Sequence, residues 1–294
     1  MTEELKRLNI EISSKCNYRC VSCPNSRLPR GNGNIDPDLF FKIFKETGDQ
    51  ISQVMLWNYG EPLLHPKIST LLENIRKYKC KKTISTTGWK LEDFEDLSFM
   101  TSLDEIIISI NGFTPEVYDI HQKGGNLAKV IRGVKRLAPI LDKSKTKLIM
   151  QTVATRDNIT QLVNAKDFAR ELGFHDISTK SFNVMDNSPQ TFQQFVPLGT
   201  PYSRYKDNNL TTKLPENVSP PCLKWMVINW DGSVNPCCWD YQGKYVLGNV
   251  KDNGVYSIWK SLTAIKHRKK MKDRDFLDIC LDCNGNKKIE LEVK

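Results

Sequence analysis

No apolar run in the 294 residues approaches the roughly 20 that a membrane-crossing helix needs. An apolar signal segment is missing too: the first fifteen residues, MTEELKRLNIEISSK, carry charges throughout. There is no internal repeat of solenoid period, which excludes a repeat array. Dispersed, evenly numbered cysteines are also lacking. The nine present are an odd count clustered at short spacings, which suits metal ligation in a reducing compartment better than disulfides. The cytoplasm is therefore the expected location, and the sequons at Asn158, Asn209 and Asn217 are expected to be chance. Concentrated charge is absent as well. The formal charge of +9 invites a nucleic-acid reading, but the excess is diffuse. Its densest run, KHRKKMK at 266–272, continues the helical spacing of Ile258, Leu262 and Ile265 and reads as a solvated helix face. Seven cysteines ionised as ligands would lower the net charge further. Neither a membrane nor a nucleic acid is an expected partner.

What is present is an alternation. Short β-rich runs at 8–12, 53–57, 82–85, 105–110, 147–153 and 176–182 are separated by longer amphipathic segments. Asp36 before Pro37 is a helix start, and HPKISTLLENIRKY keeps Ile68, Leu71, Leu72 and Ile75 on one face. Six βα units predict an α/β fold with a parallel sheet curved into a partial (β/α)6 TIM-like barrel, whose functional loops follow the strands. Three cysteines follow strand one, NYGEP (58–62) strand two, TTG (86–88) strand three, and Ser109, Asn111 and Gly112 end strand four. The expectation is that all lie on one rim. Residues 1–185 form this barrel, and 186–221, rich in Pro, Asn, Ser and Thr, read as a linker or covering loop. Residues 222–294 form a small C-terminal β-hairpin and helix region, with Asp231-Gly232 as the hairpin turn.

KCNYRCVSCPN (15–25) places Cys16, Cys20 and Cys23 in C-x3-C-x2-C spacing. Three thiolates on one loop can bind three irons of a 4Fe–4S cubane and leave the fourth open. A zinc site that recruits Cys280 or His65 as fourth ligand is the alternative. With YGEP at 59–62 and SINGFTPEVYDIHQKGG from Ser109, the chain resembles the radical S-adenosylmethionine (SAM) superfamily. The resemblance implies that Cys16, Cys20 and Cys23 hold the cluster. It further implies that the open iron chelates SAM, and that an electron cleaves SAM to methionine and a 5′-deoxyadenosyl radical. Gly60, Glu61 and Pro62 match the family's GGEP motif, with Tyr59 in place of the first glycine, and Ser109 would contact the SAM ribose or carboxylate. Ser22 stands where the family is commonly aromatic and Gln122 where it often has arginine. Such enzymes draw on a low-potential electron donor such as flavodoxin or ferredoxin. Glu61 alone would equally begin a helix, Gly124-Gly125 would equally make a turn, and His65 is left outside the catalytic set.

Cys222, Cys237, Cys280 and Cys283 are four more thiols, enough to close an auxiliary 4Fe–4S cluster, and the region resembles the SPASM or twitch extension of the superfamily. A zinc-ribbon site is the alternative. The eleven residues after Cys283 bring no further cysteine, so one auxiliary cluster is expected. Adjacent strand residues face opposite ways, so one of Cys237 and Cys238 ligates. Spacing favours Cys237, which leaves Cys238 as a packed small residue or a candidate hydrogen donor; Cys80 is a bystander.

A short chain with one auxiliary cluster resembles the superfamily's dehydrogenases that oxidise a secondary alcohol of an aminocyclitol. Larger relatives, the anaerobic sulfatase-maturating enzymes, oxidise peptide side chains. About fifteen residues precede Cys16, which gives no leader-peptide domain at that end and favours a small polar substrate, a sugar or cyclitol. The expectation is an oxidoreductase that passes the substrate's odd electron to the auxiliary cluster. The alternatives are a redox-neutral epimerase or peptide-modifying enzyme, and, from another class, a zinc-stabilised nucleic-acid-binding protein.

Overall fold

The computed structural model describes residues 3–185, 187–206, 212, 216, 218–280 and 283. In chain order the elements are β1 (Arg7–Ile10), α1 (Pro37–Thr47), β2 (Gln53–Met55), α2 (Ile68–Ile75), β3 (Lys81–Thr86), β4 (Glu105–Ser109), α3 (Pro115–His121), α4 (Leu127–Leu137), β5 (Lys147–Ala154), α5 (Ala165–Glu171), β6 (Asp176–Ser181), α6 (Pro189–Phe195), β7 (Trp225–Ile228), β8 (Ser233–Asn235), β9 (Gly248–Asn249), α7 (Val255–Trp259) and α8 (Leu262–Lys272). All six expected βα strands are present. Of the sequons, Asn209 and Asn217 lie outside the described residues, as does the segment after Cys283.

Two compact units form, neither contiguous in sequence: residues 1–15, 27–84 and 213–286, and residues 16–26, 85–212 and 287–294. In the first, β1 is central. One edge pairs in parallel with β2 (Leu8 opposite Val54) and the other with β7 (Leu8 opposite Met226). β2 continues in parallel to β3, and β7 turns back antiparallel into β8, then β9. With both edges of β1 occupied and β7 beside it, the sheet is open, as a partial barrel is. β7 is buried at all four residues, the unbroken apolar pattern of a strand covered on both faces. Asp36 caps α1 by accepting from the N–H groups of Asp38 and Leu39. That helix buries Leu39, Phe40, Ile43 and Phe44, and α2 buries the four apolar residues that its spacing predicted.

In the second unit β4, β5 and β6 are parallel, with Ile106 opposite Leu148 and Thr152 opposite Thr179. Asn126 caps α4, which turns Leu127, Val130, Val134 and Leu137 inward. The Asn158 side chain is buried, its amide donating to the carbonyls of Asn111 and Val153, so this sequon is a structural asparagine.

Two local expectations need correction. The stretch read as a linker or covering loop without regular structure contains α6: Ser188 accepts from the Thr191 N–H, Pro189 opens the helix, and Phe192 and Phe195 join Phe182, Val184, Val196 and Tyr205 in a buried cluster. The basic run is also not one solvated face. Ile258 belongs to α7, and Ser261, whose hydroxyl accepts from the Ala264 N–H, restarts the register at α8. Leu262 is therefore 75 % exposed while Ala264, Arg268 and Met271 are buried. The Arg268 guanidinium lies 3.7 Å from the Trp259 ring centroid and donates to the Trp259 carbonyl. Among the described residues no helix is long and apolar enough to cross a membrane. Since one side chain sets where α8 begins, Ser261→Ala is expected to cost about 1 kcal/mol, read as a lower urea midpoint.

Candidate functional site

In the first unit the site grows from the ends of β1 and β2. Gly60 has φ of +102°, and a Cβ there would lie 2.3 Å from the Ser13 carbonyl oxygen, so only glycine lets the NYGEP loop pass so close to the chain leaving β1. The Glu61 N–H donates to the carbonyl of Lys15, the residue before Cys16, at 2.8 Å. The Glu61 carboxylate accepts from the Leu63 N–H and caps a short 3-10 turn (Pro62–Leu64), so this residue does begin a helix. His65 is structural: Nδ1 accepts from the Lys67 N–H, which leaves Nε2–H to donate to the Ile35 carbonyl.

Beneath this loop lies a buried charge. Glu11 is 0 % exposed; Arg30 donates to both of its carboxylate oxygens, at 2.6 and 3.1 Å. The N–H groups of Tyr59 and Trp230 donate to the same carboxylate, and Arg30 also donates to the Tyr241 carbonyl. Burial outweighs the pull of Arg30 and the two backbone donors and holds the Glu11 carboxyl above the usual carboxylate range. One side chain thus ties the NYGEP loop to the turn between β7 and β8.

A second set of bonds reaches the C-terminal cysteines. The Tyr59 hydroxyl donates to the Cys238 carbonyl at 2.8 Å. The Asn58 amide donates to Asn229, Asn229 to Asn235, and Asn235 to the Asp240 carboxylate. Asp240 also accepts from the N–H groups of Lys244 and Tyr245, which closes the turn after the paired cysteines. Cys222, Cys237, Cys238, Cys280 and Cys283 all line one cavity. The expected opposition of Cys237 and Cys238 rests on strand alternation, but β8 ends at Asn235 and both residues line the cavity from the following turn. Burial, with charge repulsion from Cys280 and Cys283, pushes the Cys222 thiol up to about 12. The Cys237 thiol is also held up, first by its hydrogen bond with Cys238 and then by burial; burial raises Cys280. Such a set resists ionising until a cation compensates the charge, which is the chemistry of an iron–sulfur ligand set. Among the described residues no three His, Cys, Asp or Glu side chains converge closely enough for a single metal ion. Cys80 is buried away from this cavity's lining.

In the second unit the three-cysteine loop is held by its neighbours. Arg19 and Val21 donate N–H bonds to the carbonyls of Lys123 and His121, and the Tyr18 and Tyr118 hydroxyls meet at 2.9 Å. A Cβ on Gly125 would lie 2.7 Å from the Tyr18 ring. Ser22, at φ +64°, turns the loop; its hydroxyl donates to the Asn183 carbonyl and accepts from the Met185 N–H. The Cys23 N–H closes onto the Cys20 carbonyl, and the Tyr18 N–H points to the Cys16 sulfur at 3.4 Å, an arrangement that fits thiolate ligands. Gln122 bridges the end of β4, accepting from the Asn111 N–H and donating to the Ser109 carbonyl. His121 is buried; Asn111 donates to its Nδ1, and burial lowers it to about 4.

Sequence reasoning did not select Glu11, Arg30, Asn58, Asn229, Asn235 or Asp240. The available signal was a lone acid inside the apolar run LNIEI.

Comparisons with known proteins match two stretches of the chain, the first spanning parts of both units and the second lying within the first unit. The radical SAM superfamily matches residues 10–182, and an iron–sulfur cluster-binding domain of SPASM type matches residues 222–284. A Niallia circulans S-adenosyl-L-methionine-dependent 2-deoxy-scyllo-inosamine dehydrogenase is 24 % identical, with 97 % of this chain and 95 % of that one covered. A Pyrococcus furiosus cofactor-modifying protein of tungsten-containing aldehyde ferredoxin oxidoreductase is 25 % identical over 87 % of this chain and 81 % of its own. The crystal structure of BtrN with AdoMet and 2-DOIA superposes with a TM-score of 0.59 at 20 % identity, covering 97 % of this chain and 94 % of that one.

Two outcomes follow. Glu11→Gln leaves Arg30 without its carboxylate and is expected to cost about 3–5 kcal/mol in denaturant titration, less when combined with Arg30→Gln. A neutral buried His121 is favoured in the folded state, so the unfolded chain takes up more protons below pH 6.5 and stability falls with acidification. About 1 kcal/mol is expected to be lost between pH 7.5 and 5.5, with a flatter profile in His121→Gln.

Proposed function

The chain belongs to the radical SAM superfamily, and from that premise we propose that it is a dehydrogenase removing two electrons from a small polar substrate, a sugar or cyclitol. In this reading Cys16, Cys20 and Cys23 hold the 4Fe–4S cluster of the SAM site, while Gly60, Glu61, Pro62 and Ser109 receive SAM. Cys222, Cys237, Cys280 and Cys283 hold one auxiliary 4Fe–4S cluster. When bound, these groups supply a 5′-deoxyadenosyl radical that takes hydrogen from a C–H bond, and an acceptor for the second electron. The chain's own part is positioning. Gly60 lets the NYGEP loop lie against Ser13 and Ser14, and the Glu61 N–H fixes that loop to the residue preceding Cys16. The Glu61 carboxylate is engaged in capping, which leaves the loop's carbonyls as the groups available to an ammonium.

The observation that carries the oxidative reading is the connection from the NYGEP loop to the five-cysteine cavity, Tyr59 to Cys238, with a second chain from Asn58 through Asn229 and Asn235 to Asp240 holding the turn that follows the paired cysteines. An acceptor bound in that cavity is held in register with the loop that receives SAM. Similarity to the inosamine dehydrogenase along nearly the whole chain supports a small-molecule substrate. A ferredoxin or flavodoxin is the fitting electron donor, and a reducing cytoplasm the fitting compartment. Cys238, a fifth thiol beyond the four an auxiliary cluster needs, favours epimerisation as the second reading; it predicts solvent deuterium at the reacting carbon, lost in Cys238→Ala.

Anaerobically prepared protein is expected to contain about eight irons and eight sulfides per chain, falling to about four in Cys16/Cys20/Cys23→Ala. It should form deoxyadenosine with a sugar or cyclitol in preference to peptides. Only about four irons in the wild type, or deoxyadenosine formed with peptides alone, would overturn the dehydrogenase reading.

A further inference from the structure

Two ring nitrogens that the proposed chemistry leaves unused belong to the wall of the cysteine cavity. Trp225 and His267 both line it, alongside the five cysteines. The indole Nε1 of Trp225 and the imidazole Nε2 of His267 are buried, and neither has a hydrogen-bond partner among the described residues. An indole nitrogen can only donate. A buried donor without an acceptor is destabilising, and a phenylalanine would fill much of the same space without that cost. Trp225 is 6 % exposed, so solvent does not replace the missing acceptor. Both rings stand on regular elements. Trp225 opens β7, opposite Arg7 of β1, and His267 lies within α8, one turn before Met271, which lines the same cavity. A neutral imidazole carries one N–H.

We propose that the Trp225 Nε1–H and the His267 Nε2–H are hydrogen-bond donors to the sulfur atoms of the auxiliary iron–sulfur cluster, and that they raise its reduction potential. The inference rests on the reading that this cavity holds that cluster. Cluster sulfurs are electron-rich and become more so on reduction, so N–H donors aimed at them stabilise the reduced form. A higher potential makes the cluster a better acceptor for an electron leaving a substrate radical, which is the property a dehydrogenase needs.

The test uses the full chain carrying Cys16/Cys20/Cys23→Ala, in which the auxiliary cluster is the one that remains. Its midpoint potential is measured by electron paramagnetic resonance during redox titration, with iron and sulfide counted in every sample. Trp225→Phe keeps an aromatic ring and removes the donor. It is expected to retain its iron and to disfavour electron uptake about tenfold, a shift of about 59 mV to more negative potential for one electron. His267→Leu is expected to shift the potential in the same direction, and His267→Gln, which keeps an N–H, to restore it. If Trp225→Phe loses its iron, the two His267 variants decide the proposal. Unchanged potentials with iron retained would overturn the proposal and leave the cluster assignment standing. A starting chain that holds no iron would overturn the cluster assignment, and the proposal with it.

Discussion

A carboxylate buried at the end of β1 needs donors from every side, and Glu11 obtains them from three separate stretches of chain: Arg30, the Tyr59 N–H and the Trp230 N–H. At 0 % exposed, it would carry a large desolvation penalty if any were missing. That demand brings the NYGEP loop and the β7–β8 turn to fixed places around one side chain. Arg30 adds the Tyr241 carbonyl to the same set, and the Tyr59 and Tyr241 rings meet edge-on at 6.1 Å. Tyr59 is thereby held at its backbone, its ring and its hydroxyl, which ends on the Cys238 carbonyl. The tyrosine that replaces a motif glycine therefore connects the loop assigned to SAM with the cysteine cavity.

The second unit solves a comparable problem with neutral groups. The three-cysteine loop has no regular secondary structure before the 3-10 turn at Pro24–Arg27, so its shape depends on what its backbone bonds to. Backbone bonds to residues 121 and 123 fix its middle, and Ser22 fixes its turn against residues 183 and 185. Gln122, between those anchoring positions, uses both ends of its amide to join Ser109 and Asn111. An arginine there has donors only and could not accept the Asn111 N–H. Ser22 likewise does backbone bonding that an aromatic side chain could not. Both departures from the family pattern thus have local structural roles.

The βα strands, the helix starts at Asp36 and Ser188, and the Asp231-Gly232 hairpin were open to sequence reasoning in different degrees. Strands and amphipathic helices repeat a pattern within a few residues, so β4 and α2 are read directly. The α6 helix was missed because a seven-residue helix in a segment rich in Pro and Asn presents little more than one period. In α8 an apolar spacing pointed to Leu262, whereas the Ser261 cap reset the register and left that residue exposed. Strand alternation suggested opposite orientations for Cys237 and Cys238, but the strand had already ended.

By itself the sequence determined the thiol inventory: three thiols on one loop, four or five more near the C-terminus, and a glycine-containing loop after the second strand. Those features are local, because spacing along a loop sets which atoms one cluster can reach. The tertiary structure alone decided that β7 pairs with β1, that Glu11 gathers donors up to 219 residues away, and that Trp225 and His267 share a cavity wall. The reason is physical. A buried carboxylate or an indole N–H must find its partner wherever the sheet order brings one, and no periodicity along the chain records that order.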